Sequence, residues 1–248
     1  MRVNLSANCL IDKIMTNHHN VGMAEVIHAN ATCDATVIAN FAWQHLRASV
    51  TFSNQVKKIE SIHAGESFGD FFEDIRSYAS ASIMCANASI ESLINELFMD
   101  PNLELRSKIS NFENTFWGKI ERKPILEKYQ HAILLLERPL LDENSTNYKN
   151  VWVLNELRNF LVHYKPTWDA EKQRKIDLTN ELNGKFQPSP FIPNNSDFIT
   201  MRCMGFGLSK WAINSVFNFL HDFYDQTNLG QDKMAGFWTL EQKFQAIC

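Results

Sequence analysis

The chain has 248 residues, 45% of them hydrophobic and 21% charged, with a formal net charge of −4. That length and mixture fit a folded chain of one large domain or two small ones and exclude disorder. With only nine glycines and seven prolines, many short strands joined by tight turns are not expected, and the acidic balance speaks against a surface that is basic all over. An enzyme gripping a few phosphates in a cleft needs only local cations.

The five cysteines, Cys9, Cys33, Cys85, Cys203 and Cys248, are scattered and form no C-x-x-C pair. They read as reduced thiols in a cytoplasmic protein, not as a zinc site. No stretch approaches the roughly 18 apolar residues of a membrane span, and the start lacks the apolar run of a signal peptide. The expectation is a soluble chain with no membrane contact, no metal and no cofactor.

Taken in order, the first 33 residues carry no readable period. Over residues 35–62, Val37, Ile38, Phe41, Leu46, Val50, Val56 and Ile59 fit a helix, interrupted by Gly65 and Gly69. A stronger helix spans residues 70–98. Its middle, SYASASIMCANAS, is crowded with small side chains that let a neighbouring helix approach closely, as at the centre of a bundle. Asp100-Pro101 stops it. A short helix over 103–117 precedes Gly118. Pro124 suits the first turn of PILEKYQHAILLLE, which Pro139 ends. Residues 148–164 form a helix of about four turns, with Val151, Leu154, Leu157, Leu161 and Val162 as its apolar positions. A charged helix over 169–182 is closed by Asn183-Gly184. QPSPFIPNNSD reads as an extended loop and the clearest linker. A helix over 207–227 turns Trp211, Val216, Phe219, Leu220 and Phe223 inward, and the tail docks loosely. The architecture implied is all-α, an antiparallel bundle, with residues 69–227 as the bundle, 1–68 as a partly helical N-terminal extension and 228–248 as a C-terminal tail.

His-Glu-x-x-His, G-x-x-x-x-G-K-[ST], G-x-S-x-G and G-x-G-x-x-G are all absent, and Gly205-Phe206-Gly207 is more naturally the start of the helix behind it. The segment LNELRNFLVHYKP stands apart. Arg158 and His163 sit in an otherwise apolar helix, with Asn159 beside the arginine, and such groups are costly to bury unless paired. Five residues place His163 roughly 140° round the helix from Arg158, whereas Asn159 and His163, four apart, share a face. Pro166 disfavours helix at Lys165, so His163 falls in the last turn, where the dipole's negative end favours imidazolium. An imidazole beside a permanent guanidinium suits phosphodiester chemistry.

Arg158-Asn159-x-x-x-His163 resembles the Arg-x(4–6)-His motif of the HEPN superfamily in its Arg-Asn-x-x-x-His form. ASIESLINEL, residues 88–97, is similar to an early helix of these domains, and GKIERKPILEKYQHAILLL to an intervening one. The likeness covers about residues 69–224. It implies a helical homodimer in which two Arg–His motifs face each other across a cleft, acting as a metal-independent ribonuclease in a toxin–antitoxin or phage-defence setting, with an antitoxin or regulatory protein as a possible partner. RNA is the implied substrate. His163 would move a proton or position the 2′-hydroxyl. Arg158 would hold the scissile phosphate, and Asn159 would orient one of them. Glu91 would partner Arg158, with Asn95 one turn along. The tyrosine that some members carry two residues after the histidine is replaced by Lys165, so modification of the neighbouring Tyr164 is not implied.

Two other readings stay open: a non-catalytic module that binds nucleotide, RNA or protein, and a buried polar pair tying helices together. Glu91 and Asn95 also fit a polar seam. Lys119, Arg122, Lys123 and Lys128, interleaved with Glu121 and Glu127, read as a solvated face, with the lining of an RNA path as the alternative. Trp152 and Trp168 flank the motif, where packing is the simpler role and stacking on bases the alternative.

Overall fold

Small side chains allow α1 (Phe41–Ile62) and α2 (Phe71–Met99) to pack in close contact. Ser49 Oγ donates to the Ser82 carbonyl at 2.8 Å and Ser82 Oγ to the Ser49 carbonyl at 3.0 Å, all fully buried. Each hydroxyl thereby satisfies its own burial through the other helix's backbone, which a larger residue would hold away. Along α2, Ile75, Ala79, Ile83, Ala86 and Ile90 are sealed from solvent. The computed structural model describes residues 40–100, 103–110, 117–165, 172–229 and 231–247. Among these the regular elements are all helical. They continue as α3 (Glu104–Ser110), α4 (Trp117–Ile120), α5 (Ile125–Leu135), α6 (Thr146–Val162), α7 (Lys172–Leu182), a π-helical turn at Phe198–Arg202, α8 (Phe206–Thr227) and α9 (Gln231–Ile247). No helix among the described residues is long and apolar enough to cross a membrane.

Tyr129 of α5 joins three helices. Its ring is fully buried and stands edge-on to Phe219 and Phe223 of α8, while its hydroxyl donates to the Ile90 carbonyl of α2 at 2.8 Å. The side-chain amide of Gln130 pairs in both directions with the backbone of Leu141, at 2.9 and 3.0 Å, and holds down the chain after Pro139. On α8 the expected inward set, Trp211, Val216, Phe219, Leu220 and Phe223, is buried.

Contact pairs fix the directions of the central helices. Ser80 meets Met204, just before α8, and Glu96 adds to burial in raising the Tyr224 hydroxyl pKa near the end of α8, so α2 and α8 run parallel. The start of α6 lies against the far half of α8, through Asn147 Nδ2 to Asp222 Oδ2 at 2.9 Å and Tyr148 on Phe219. Asn87 of α2 reaches Asn155 midway along α6 at 3.4 Å. Hence α6 runs antiparallel to both.

Three sequence expectations change. The described residues from Asn40 onward belong to one compact unit, so boundaries at 69 and 227 fall inside it. Leu46 and Val56 of α1 are core residues, as are Met234, Phe237 and Phe244 of α9. The tail is therefore a packed helix. The earlier part of the N-terminal extension, with Cys9 and Cys33, lies outside the described residues, as do Trp168 and Cys248. The proline-rich stretch is not a linker. Phe191 and Ile192 are buried, and Ser189 donates its amide to the Arg202 carbonyl at 2.7 Å. Pro residues there fix an extended path across the bundle instead of freeing it. Gly205 and Gly207 let that path pass. A Cβ on Gly207 would lie 2.3 Å from the Gln187 carbonyl oxygen, and one on Gly205 would lie 2.7 Å from Glu60 Oε1, the acceptor for the Phe206 amide that opens α8.

Candidate functional site

α6 begins at Ser145, whose hydroxyl accepts the Tyr148 amide at 3.2 Å, a side-chain cap on one of the helix's orphan donors. Val151, Val153, Leu154, Leu157 and Phe160 bury one side. The helix ends at Val162, and His163 is its C-cap, with its amide bonded to the Asn159 carbonyl at 3.1 Å. Val162 is not inward as its apolar character suggests. It is 49% exposed, and Tyr164 is 51% exposed.

Arg158 is half-buried and donates from Nη1 to Asn159 Oδ1 at 2.9 Å. Asn159 therefore holds Arg158 with its side chain and His163 with its main chain. The His163 ring is exposed, while Phe160 and Tyr164 pack edge-on beneath the cap at 5.8 Å. Chemically, the end of α6 presents one delocalised cation steadied by an amide and one imidazole open to solvent. Arg158 and His163 share no hydrogen bond among the described residues.

Glu91 and Asn95 are placed elsewhere. Because α2 and α6 are antiparallel, the turn beyond Asn87 that carries Glu91 leads towards the start of α6, while Arg158 lies on the turn beyond Asn155 in the opposite direction. Glu91 Oε1 instead lies 3.9 Å from Lys128 Nζ of α5, and Asn95 Oδ1 accepts from the same ammonium at 3.1 Å. They form the polar seam between helices, and Glu91 has no ion pair with Arg158 among the described residues. Lys128 is only 3% exposed at its side chain and so leaves the solvated face expected of it. Its position between Ile125 and Ala132, at the edge of the buried face that also carries Tyr129, is the signal; the interleaved acids obscured it. Nearby Lys123 does pair with Glu127 at the surface, at 3.2 Å.

Two residues near the site escaped the sequence reading. Asn87 is fully buried and bridges to Asn155 one turn before Arg158. Its one legible sign is an amide inside a run of small apolar residues. Arg174 of α7 pairs with Glu156 at 3.4 Å. Trp152, for which packing was the simpler expectation, is 48% exposed. Cys85 and Cys203 are free thiols, and burial pushes both upward in pKa, away from reactive thiolate character. No cluster of metal-ligating side chains occurs among the described residues. A cavity of about 620 Å³ lies between the end of α1 and the proline-rich path, lined by Lys57, Glu60, Phe191 and Phe206 among others, but by neither Arg158 nor His163.

No protein-family model matches the chain, and neither a curated protein nor a solved structure shows significant similarity to it.

Proposed function

We propose that the chain is a metal-independent endoribonuclease of HEPN type, working as a toxin or defence effector, whose site is completed by a second copy. The observation that carries this is the end of α6, where Asn159 fixes Arg158 and sets the His163 backbone. Val162 and Tyr164, half-exposed on either side of His163, supply apolar surface for a symmetry mate to cover. Two such ends facing each other bring two guanidinium groups and two imidazoles around one phosphodiester.

In that arrangement the 2′-hydroxyl oxygen attacks the adjacent phosphorus while one imidazole accepts its proton. The bond from phosphorus to the 5′-oxygen breaks, and that oxygen takes a proton from the second ring, which enters the step as imidazolium and leaves it as neutral imidazole. The products are a 2′,3′-cyclic phosphate and a 5′-hydroxyl. Arg158 offsets the charge gathering on the non-bridging oxygens, and no oxidant or metal is required. DNA, lacking the 2′-hydroxyl, is not cut.

Purified protein incubated with mixed RNA in EDTA is expected to leave cyclic-phosphate ends. His163→Ala lowers the rate by about 100- to 10,000-fold, and Arg158→Ala by about 100- to 1,000-fold. Cutting by His163→Ala at the wild-type rate removes the catalytic assignment. RNA bound by the wild type but left whole supports the non-catalytic binding module instead.

A further inference from the structure

Trp152 stands out of the bundle although Val151 and Val153 on either side are fully buried. An indole loses much by facing water, about 25 cal/mol per Å² of apolar surface, so its place on a rigid helix in the middle of α6 is informative. Lys149, Trp152, Glu156, Asn159 and His163 follow one another at spacings of three and four and so share one stripe of α6, opposite Leu154 and Leu157. From residue 146 to 165 the chain carries Lys149, Arg158 and Lys165 against a single carboxylate, Glu156, and Arg174 already pairs with that carboxylate. In a chain of net charge −4, this is a local reversal of sign.

Cations that track phosphates, interleaved with an aromatic face that takes a base, are the two components of single-strand recognition. A base locked in a duplex is stacked on its own neighbours and is not free to lie on an indole. We propose that Trp152 is a stacking platform for an unpaired RNA base, a few nucleotides from the bond cut beside His163, so that the substrate is single-stranded. His163 lies eleven positions beyond Trp152, about 16 Å along the axis, and Lys149 lies one turn further out along the same stripe. The assignment rests on the ribonuclease reading for the identity of the ligand, but not for the geometry of the stripe.

The test uses the full chain and two 2′-O-methyl oligonucleotides, one a single strand and one annealed to its complement as a blunt duplex, which offer bases and phosphates but no attacking hydroxyl. Trp152→Ala is expected to weaken binding of the unpaired strand by about 5- to 100-fold, Trp152→Phe to retain most of it, and the duplex to bind wild type and variants alike. On cleavable RNA, Trp152→Ala raises KM with kcat little changed, whereas His163→Ala lowers kcat. Unpaired-strand affinity equal to wild type in Trp152→Ala overturns the platform. So does a shift of that variant from dimer to monomer in light scattering, which places the indole under a second copy. If the wild type cuts no RNA but the unpaired strand still binds through Trp152, the platform stands and the nuclease reading falls.

Discussion

Asn159 connects two groups that helix geometry keeps apart. Arg158 and His163 diverge by roughly 140°, yet the Asn159 side chain accepts from one and its carbonyl from the other's amide. Glu60 illustrates a different residue-scale balance. Burial raises its carboxyl pKa above the ordinary 4.5, and the hydrogen bond from the Phe206 amide only partly opposes this. The folded state therefore holds the proton more tightly than the unfolded chain does. Below the ordinary value both states are protonated, and the group costs nothing. As pH rises from 4.5 through the folded value, the unfolded state releases its proton first, so stability falls and stays lower above that window. Glu60→Gln keeps an oxygen acceptor for the Phe206 amide but carries no charge. Relative to wild type, the variant should gain stability in urea titrations as pH is raised from 4 to 7. A pH-independent difference means that Glu60 is not the source of this dependence.

At the scale of elements, the helices were legible wherever a 3.6-residue period met a chemical stop. α2, α6 and α8 follow their sequence patterns to within one or two residues at each end where the chain is described. A segment whose role depends on what crosses it carries no such local signal. QPSPFIPNNSD looks like a linker because prolines bar helix, but its Phe191 and Ile192 fill the core. The crossing is so close that Gly207 has no room for a methyl group. Gly207→Ala should therefore destabilise the fold by about 1–3 kcal/mol, although alanine is ordinarily the better helix former by about 1 kcal/mol. Gly118→Ala, whose added carbon meets no packing neighbour within 4 Å among the described residues, serves as the control and should be neutral or slightly stabilising. Equal effects at the two positions contradict the close crossing.

For the whole molecule, α9 shows how far the bundle extends beyond the segment singled out by motif resemblance. Phe244 is fully buried, and the His221 ring stacks on Trp238 at 4.1 Å while its Nε2 lies 2.9 Å from Glu241. Phe244→Ala should cost about 3–5 kcal/mol in chemical unfolding, whereas Phe41→Ala, at a position 60% exposed, should stay within about 0.5 kcal/mol. A loss below about 1 kcal/mol at Phe244 would mean that α9 is not part of the cooperative core.

The sequence by itself determined the all-helical class, most helix positions, the small-residue face of α2 that lets some helix approach closely and the clustering of Arg158, Asn159 and His163, because each depends on residues near one another along the chain. Tertiary structure alone decided that Glu91 and Asn95 serve Lys128, that Trp152 faces solvent and that α9 and the proline-rich path belong to the core. Those outcomes depend on the relative direction of helices far apart in sequence. Periodicity reveals which face of a helix is apolar, but not which helix will cover it or which way that neighbour runs.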